Sequence, residues 1–164
     1  MLKIYIAGPD VFEQNSIQIG KDYCQLCKDY GYEGLYPLDN IVDFNQPKNK
    51  IAQDIFKANI EFINQADIVI ANLNAFRGKE ADSGTVWECG YAFALNKKVY
   101  GYMDDTSSYL NQFKEDEKSL NNDTFIDNNN KIIEDFDYPI NLMIACSAIE
   151  IIQGNFEDVL KVIK

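Results

Sequence analysis

The sequence predicts an α/β domain: a five-stranded parallel sheet in the order 2-1-3-4-5 with helices on both faces, flavodoxin/Rossmann-like in kind. Two observations predict it. Short β-branched runs alternate with segments of helical periodicity along the chain. The run DIVIANL, residues 67–73, is apolar on both faces, as central parallel strands are. That alternation implies right-handed strand–helix–strand units and hence a parallel sheet with helices on both faces. At 164 residues the chain suits one domain, 1–164, with its own core.

Taken in order, KIYIAG (3–8) is a strand ended by Gly8-Pro9. Residues 15–30 place Ile19, Tyr23, Leu26, Cys27 and Tyr30 at helical spacing, stopped by Gly31. EGLYPL (33–38) is the second strand. Residues 49–66 carry a stripe of Ile51, Ile55, Ala58, Phe62 and Ala66, a helix with one apolar face. The third strand, 67–73, follows. Val86 to Leu95 then reads as a helix buried all round, apart from Glu88. KVYGYM (98–103) is the fourth strand, AIEIIQ (148–153) the fifth, and 155–163 a closing helix.

Residues 104–137 break this rhythm. They hold ten acidic and three basic side chains and six asparagines. They read as a solvated acidic insertion with a short helix near 108–119; a loop of this length is otherwise a lid or disordered.

Composition narrows the function. The net charge of −11 repels a polyanion, so no nucleic acid polymer is expected as partner. No apolar run approaches a membrane span, and the start MLKIYIAG lacks a signal-peptide pattern, so no membrane association and a cytoplasmic location are expected. Cys24 and Cys27 form a C-x-x-C without a second ligand pair, and the chain has no histidine. Two small buried thiols is the reading, with no metal and no cofactor. The lack of histidine also excludes Ser-His-Asp and Cys-His machinery. Carboxylates, tyrosines and amides must then carry any proton chemistry.

Ligands of open parallel sheets bind beyond the strand carboxyl ends, where the strand order reverses. Here that is between strands one and three, at the loops AGPDVF (7–12) and NLNAFRGKEADSGT (72–85). The second loop delivers Asp82 and, within the helix, Glu88. Asp82, Ser83 or Thr85 would serve equally as helix caps, and Glu88 as a dipole partner. A buried carboxylate without a task is costly, however, and Gly84 and Gly90 permit close approach. Paired carboxylates without histidine or metal suit glycosidic-bond chemistry, with Glu88 as nucleophile. A nearby helix N-terminus is expected to keep it ionised against the effect of burial. Gly8-Pro9 is either an ordinary turn or part of the site; it is neither G-x-G-x-x-G nor a Walker loop. Tyr5 is either core or a hydroxyl aimed at the site, and Asn141 either a cap or a ligand contact.

KIYIAGPDVF, YPLDN, ADIVIANLNAFRGKEADSGTVWECGYAFALNKKV and YPINLM together resemble the nucleoside 2-deoxyribosyltransferases. The resemblance spans nearly the whole chain in order and covers the acidic insertion poorly. It implies transfer of 2-deoxyribose between nucleobases with retention, deoxynucleosides and free bases as partners, and nucleotide salvage. It implies Glu88 as the nucleophile of a covalent intermediate. Asp82 then contacts the sugar and assists the base, and Tyr5 orients the nucleophile. Gly8, Pro9, Phe12, Asn59 and Gly84 are the candidate substrate contacts, joined by Asn141 and Met143 lent from a neighbouring subunit. A homo-oligomer with shared sites is implied, dimer-based and hexameric in the family. One departure stands out: some members carry an aspartate where Asn59 lies, and an amide cannot deliver a proton. Two rivals remain. One is a 2′-deoxynucleoside 5′-monophosphate N-glycosidase of the same superfamily, for which Arg77 and Lys79 are the only cations in the strand-three loop. The other is a nucleoside sensor without turnover.

Overall fold

The computed structural model describes residues 1–39 and 42–163; Asn40, the last residue of the YPLDN segment, lies outside it. The five parallel strands are β1 (Lys3–Ala7), β2 (Glu33–Leu35), β3 (Ile68–Asn72), β4 (Lys98–Met103) and, after a separate hairpin, β7 (Glu150–Gln153). They hydrogen-bond in the order β2-β1-β3-β4-β7, the predicted order with the last parallel strand seventh along the chain. Tyr5 pairs with Leu35 on one side and Val69 on the other, so β1 is an inner strand. The order reverses between β1 and β3.

Alternation along the strands divides the core into two layers. Tyr5, Ala7, Val69, Ala71 and Val99 face α2 (Lys48–Gln65), α3 (Ser83–Ala94) and the short α4 (Leu142–Ala145). Ile4, Ile6, Ile68, Ile70 and Tyr102 face α1 (Ser16–Asp29) and α5 (Phe156–Val162). β2 is shorter than its sequence suggests: Pro37 cannot donate to a ladder, and residues Pro37–Asp39 form a 3-10 turn instead. Gly20 is required by packing, since a Cβ there would lie 2.2 Å from the Tyr36 ring. Cys27 is buried and Cys24 donates to the Gly34 carbonyl at 3.6 Å; both thiols are free.

Two expectations are corrected. Helix α3 begins at Ser83, with Asp82 as its cap, and is not buried all round: Trp87 is 50% and Phe93 55% exposed. Its composition is apolar, but only Thr85, Cys89 and Ala92 are fully buried. The insertion, in turn, is neither a bare excursion nor helical over 108–119. A 3-10 turn (Tyr109–Gln112) leads into an antiparallel hairpin, β5 (Lys118–Asn121) and β6 (Thr124–Asp127). The turn residues Asn122 and Asp123 both have positive φ, 48° and 65°, the geometry of a tight two-residue hairpin. Leu110, Phe113 and Ile133 give this unit its own small core. Among the described residues no helix is long and apolar enough to cross a membrane.

Candidate active site

Helix α3 starts beside the crossover between β1 and β3. Asp82 Oδ2 accepts from the Thr85 backbone N–H at 2.9 Å and from its hydroxyl at 3.0 Å. Capping fixes the first turn, and the second turn aims Glu88 down at the sheet. There the Tyr5 hydroxyl donates to Glu88 Oε1 at 2.6 Å. Tyr5 is fully buried in β1, so its ring is locked and its single polar atom is committed to this contact.

The electrostatics follow. Burial pushes the Glu88 carboxyl up to about 7; the Tyr5 hydrogen bond pulls it down, and the charge of Asp82 pushes it up again. The expected counterweight, the helix N-terminus, is replaced by the tyrosine hydroxyl: Glu88 sits beyond the first turn, where the terminal field has faded. Burial and the neighbouring carboxylate raise Tyr5 far above the ordinary phenol range, so it remains a protonated donor.

Glu88 opens onto a cavity of about 380 Å³, within the range of small-molecule sites. Gly8, Val11 and Phe12 line it from the β1 loop; Asn59 and Ile55 from α2; Asp82, Gly84 and Thr85 from α3. Its remaining wall is apolar, from Leu38, Val42 and Phe44. A second cleft of about 350 Å³ shares Glu88, Asn59 and Gly84 and is floored by Phe56 and Trp87. The carboxylate thus stands between two lobes.

Of the predicted residues, Tyr5, Gly8, Phe12, Asn59, Asp82, Gly84 and Glu88 come together here. Pro9 does not line the cavity; it starts the 3-10 turn Pro9–Phe12 that presents Phe12. Asn141 and Met143 lie outside the cavity of their own chain. Asn141 caps α4, accepting from Met143 N–H at 3.0 Å, and Met143 is 73% exposed. No residue of the insertion lines the Glu88 cavity. The insertion instead braces the loop leading to Asp82: Lys79 pairs with Glu117 at 2.8 Å and stacks over Phe113, and Tyr109 bonds to Glu80.

Other contributors escape sequence reasoning. Asp10 accepts from Asn72 Nδ2 at 3.0 Å and from the Tyr23 hydroxyl at 3.3 Å, tying the β1 loop to the end of β3. Gly8 is needed for that closure, because a Cβ would lie 2.6 Å from the Asp10 carboxylate. Phe12 is held by Phe76, stacked at 5.4 Å, with the Arg77 guanidinium over both rings. The sequence offers little signal for them beyond polar residues after strand ends and the apolar side chains Leu38, Val42 and Phe44.

This architecture has known relatives. A 2-desoxiribosyltransferase from Leishmania mexicana superimposes with a TM-score of 0.67 at 32% identity, covering 88% of this chain and 85% of that one. The 2-deoxyribosyltransferase of Bacillus psychrosaccharolyticus shares the fold, with a TM-score of 0.64 at 22% identity over 98% of this chain and 92% of its own. An uncharacterized protein of Schizosaccharomyces pombe is 30% identical over 109 residues, 65% of this chain; the chain spans about half (52%) of that protein's length. The profile of the nucleoside 2-deoxyribosyltransferases matches residues 4–143, a span that takes in four of the five parallel strands and every candidate site residue above, and the chain therefore belongs to the nucleoside 2-deoxyribosyltransferase family.

Proposed function

We propose that the protein transfers 2-deoxyribose from one nucleobase to another by double displacement through an ester on Glu88. The observation that carries this is the buried Glu88 carboxylate, oriented by the Tyr5 hydroxyl at 2.6 Å, in a cavity of nucleoside dimensions. In the first step Glu88 attacks C1′ as the glycosidic bond breaks. The bonding pair leaves with the base, which takes up a proton. In the second step an acceptor base attacks C1′ from the face the first one left, loses a proton, and frees the Glu88 carboxylate. Two inversions give retention. Asp82, beside the nucleophile, is the acid of the cavity able to exchange that proton, since Asn59 occupies the other position and carries only an amide. The apolar wall of Leu38, Val42 and Phe44 suits a planar base and limits water, which would otherwise hydrolyse the ester. Deoxynucleosides and free bases are the partners, and the exposed Met143 and Phe93 suit a homo-oligomer in which neighbouring chains complete each site.

The monophosphate N-glycosidase reading is disfavoured by the cations. Lys79 is engaged by Glu117 and Phe113, and Arg77 by two phenyl rings; neither lines the cavity. The test is a product assay: a deoxynucleoside with and without acceptor bases, beside its 5′-monophosphate. Exchange of bases is expected, with free deoxyribose a minor product. Glu88→Ala is expected to abolish exchange with an unchanged circular dichroism spectrum. Full activity in that variant, or turnover of the monophosphate alone, would overturn the reading.

A further inference from the structure

The acidic insertion and the candidate site meet at one side chain. Glu134 is half-buried where the chain leaves the small core around Ile133. Both of its oxygens are spent on the segment that follows: Oε1 accepts from Asn141 Nδ2 at 2.6 Å, and Oε2 from the Leu142 backbone N–H at 2.9 Å. The Asn141 carbonyl meanwhile accepts from Met143 N–H at 3.0 Å. The amide is therefore fixed in one of its two orientations. Flipping it would set its carbonyl against a carboxylate and its NH₂ against a backbone N–H, losing both bonds. A carboxylate here is otherwise poorly placed, since Glu80 and Asp127 line the same small cleft. Its two short donors are what make it tolerable.

We propose that Glu134 is a positioning residue for deoxyribosyl transfer, setting the orientation of the Asn141 amide so that its remaining N–H and lone pair meet a sugar hydroxyl. The inference rests on the transfer reading above, in which Asn141 serves the substrate. It also gives the insertion a purpose. The same folded unit grips the Asp82 loop through Lys79–Glu117 and Tyr109–Glu80 and grips Asn141 through Glu134. One folded unit thereby contacts two candidate site-bearing segments of the chain.

A double-mutant cycle tests it, using Glu134→Gln, Asn141→Ala and the pair in the full-length protein. Glutamine offers one acceptor oxygen to two donors and turns its NH₂ toward the other, so the Asn141 amide loses its unique setting. Glu134→Gln is expected to lower kcat/KM for base exchange by about 10- to 100-fold, the scale of a small misplacement of a positioned group. Asn141→Ala is expected to lose at least as much, and the double variant no more than Asn141→Ala alone. The Asn141 side-chain NH₂ resonance, assigned by its absence in Asn141→Ala, is expected to shift in Glu134→Gln, which a remote structural effect would not produce. Should Glu134→Gln unfold, Glu134→Asp, one methylene shorter, takes its place in the cycle. Losses that multiply in the double variant, or native exchange in Glu134→Gln beside a loss in Asn141→Ala, would overturn the positioning role. Unimpaired exchange in Asn141→Ala would overturn it too. Absence of exchange in the native protein would instead overturn the transfer reading itself.

Discussion

Glu88 answers to opposing demands. A nucleophile must be ionised, yet burial holds this carboxyl up at about 7. The Tyr5 hydroxyl is the group that favours the ionised form, and it is fixed by the core rather than by the substrate. Tyr5→Phe removes that donor, so the Glu88 value rises further. Activity needs the carboxylate, so the acidic limb of kcat/KM moves to higher pH. The loss is expected to be largest below neutrality and to fade well above the limb, as a pH profile of both proteins will show. Stability carries the complementary signature. A folded-state value raised above the unfolded one means stability is fully present below about 4.5 and declines as pH rises to about 7. Glu88→Gln lacks that decline. It is expected to match the native protein near pH 4 and exceed it at pH 8, by on the order of 3 kcal/mol at most, in urea unfolding at the two pH values. Such a gain would mark Glu88 as kept for chemistry at the expense of the fold. Glu88 stood out as an acid in an apolar helix, whereas Tyr5 read equally as core until the family resemblance gave its hydroxyl a role. Asp10 and Asn72 were not legible, since their partnership joins positions 62 residues apart and neither is unusual at a strand end.

Elements decide how those side chains are aimed. Asp82 has two candidate duties, capping α3 and acting on the substrate, and Asp82→Asn separates them. Asparagine caps a helix about as well as aspartate. The variant is therefore expected to keep the native thermal midpoint to within a few degrees. It keeps the cap but not the acid, so base exchange is expected to fall by roughly 10²- to 10⁴-fold, the usual worth of general acid–base help. A comparable drop in melting temperature would assign Asp82 to the cap alone. The parallel strands were readable as short apolar runs buried on both faces, and their helices from a periodic apolar stripe. The insertion was not. Its hairpin is only four residues a side and mostly polar, and its cue was the pair Asn122-Asp123, both able to take positive φ. Its hydrophobic support, Leu110, Phe113 and Ile133, is scattered over many residues and shows no period. The α2 stripe misled in the opposite sense. Ile55 carries the helical spacing yet lines the cavity instead of the core, so periodicity identified the face but not what it meets.

For the whole molecule the question is why so much apolar surface is left outside. Trp87, Phe93 and Phe56 on α3 and α2, and Met143 at the start of α4, are each half exposed or more. They flank a cleft of about 330 Å³ between α3 and α4 on one side and the second lobe of the Glu88 site on the other. Patches of this kind mark association surfaces. The shared-site reading requires an association that brings the Asn141–Met143 segment of one chain to the Glu88 side of another. Complementation decides whether such an association forms. Glu88→Ala and Asn141→Ala chains are each expected to be nearly inactive alone. When they are unfolded together and refolded as a mixture, a site that draws Glu88 from one chain and Asn141 from its neighbour is restored wherever the two variants meet in the right sense. Random assembly of equal amounts then returns about a quarter of native exchange activity. Sites built within single chains would return none, because every chain in the mixture carries one lesion. The readout is base exchange per subunit in the mixture, set against each variant refolded alone at the same total concentration. No gain on mixing would place Asn141 with the Glu88 of its own chain or outside the site altogether.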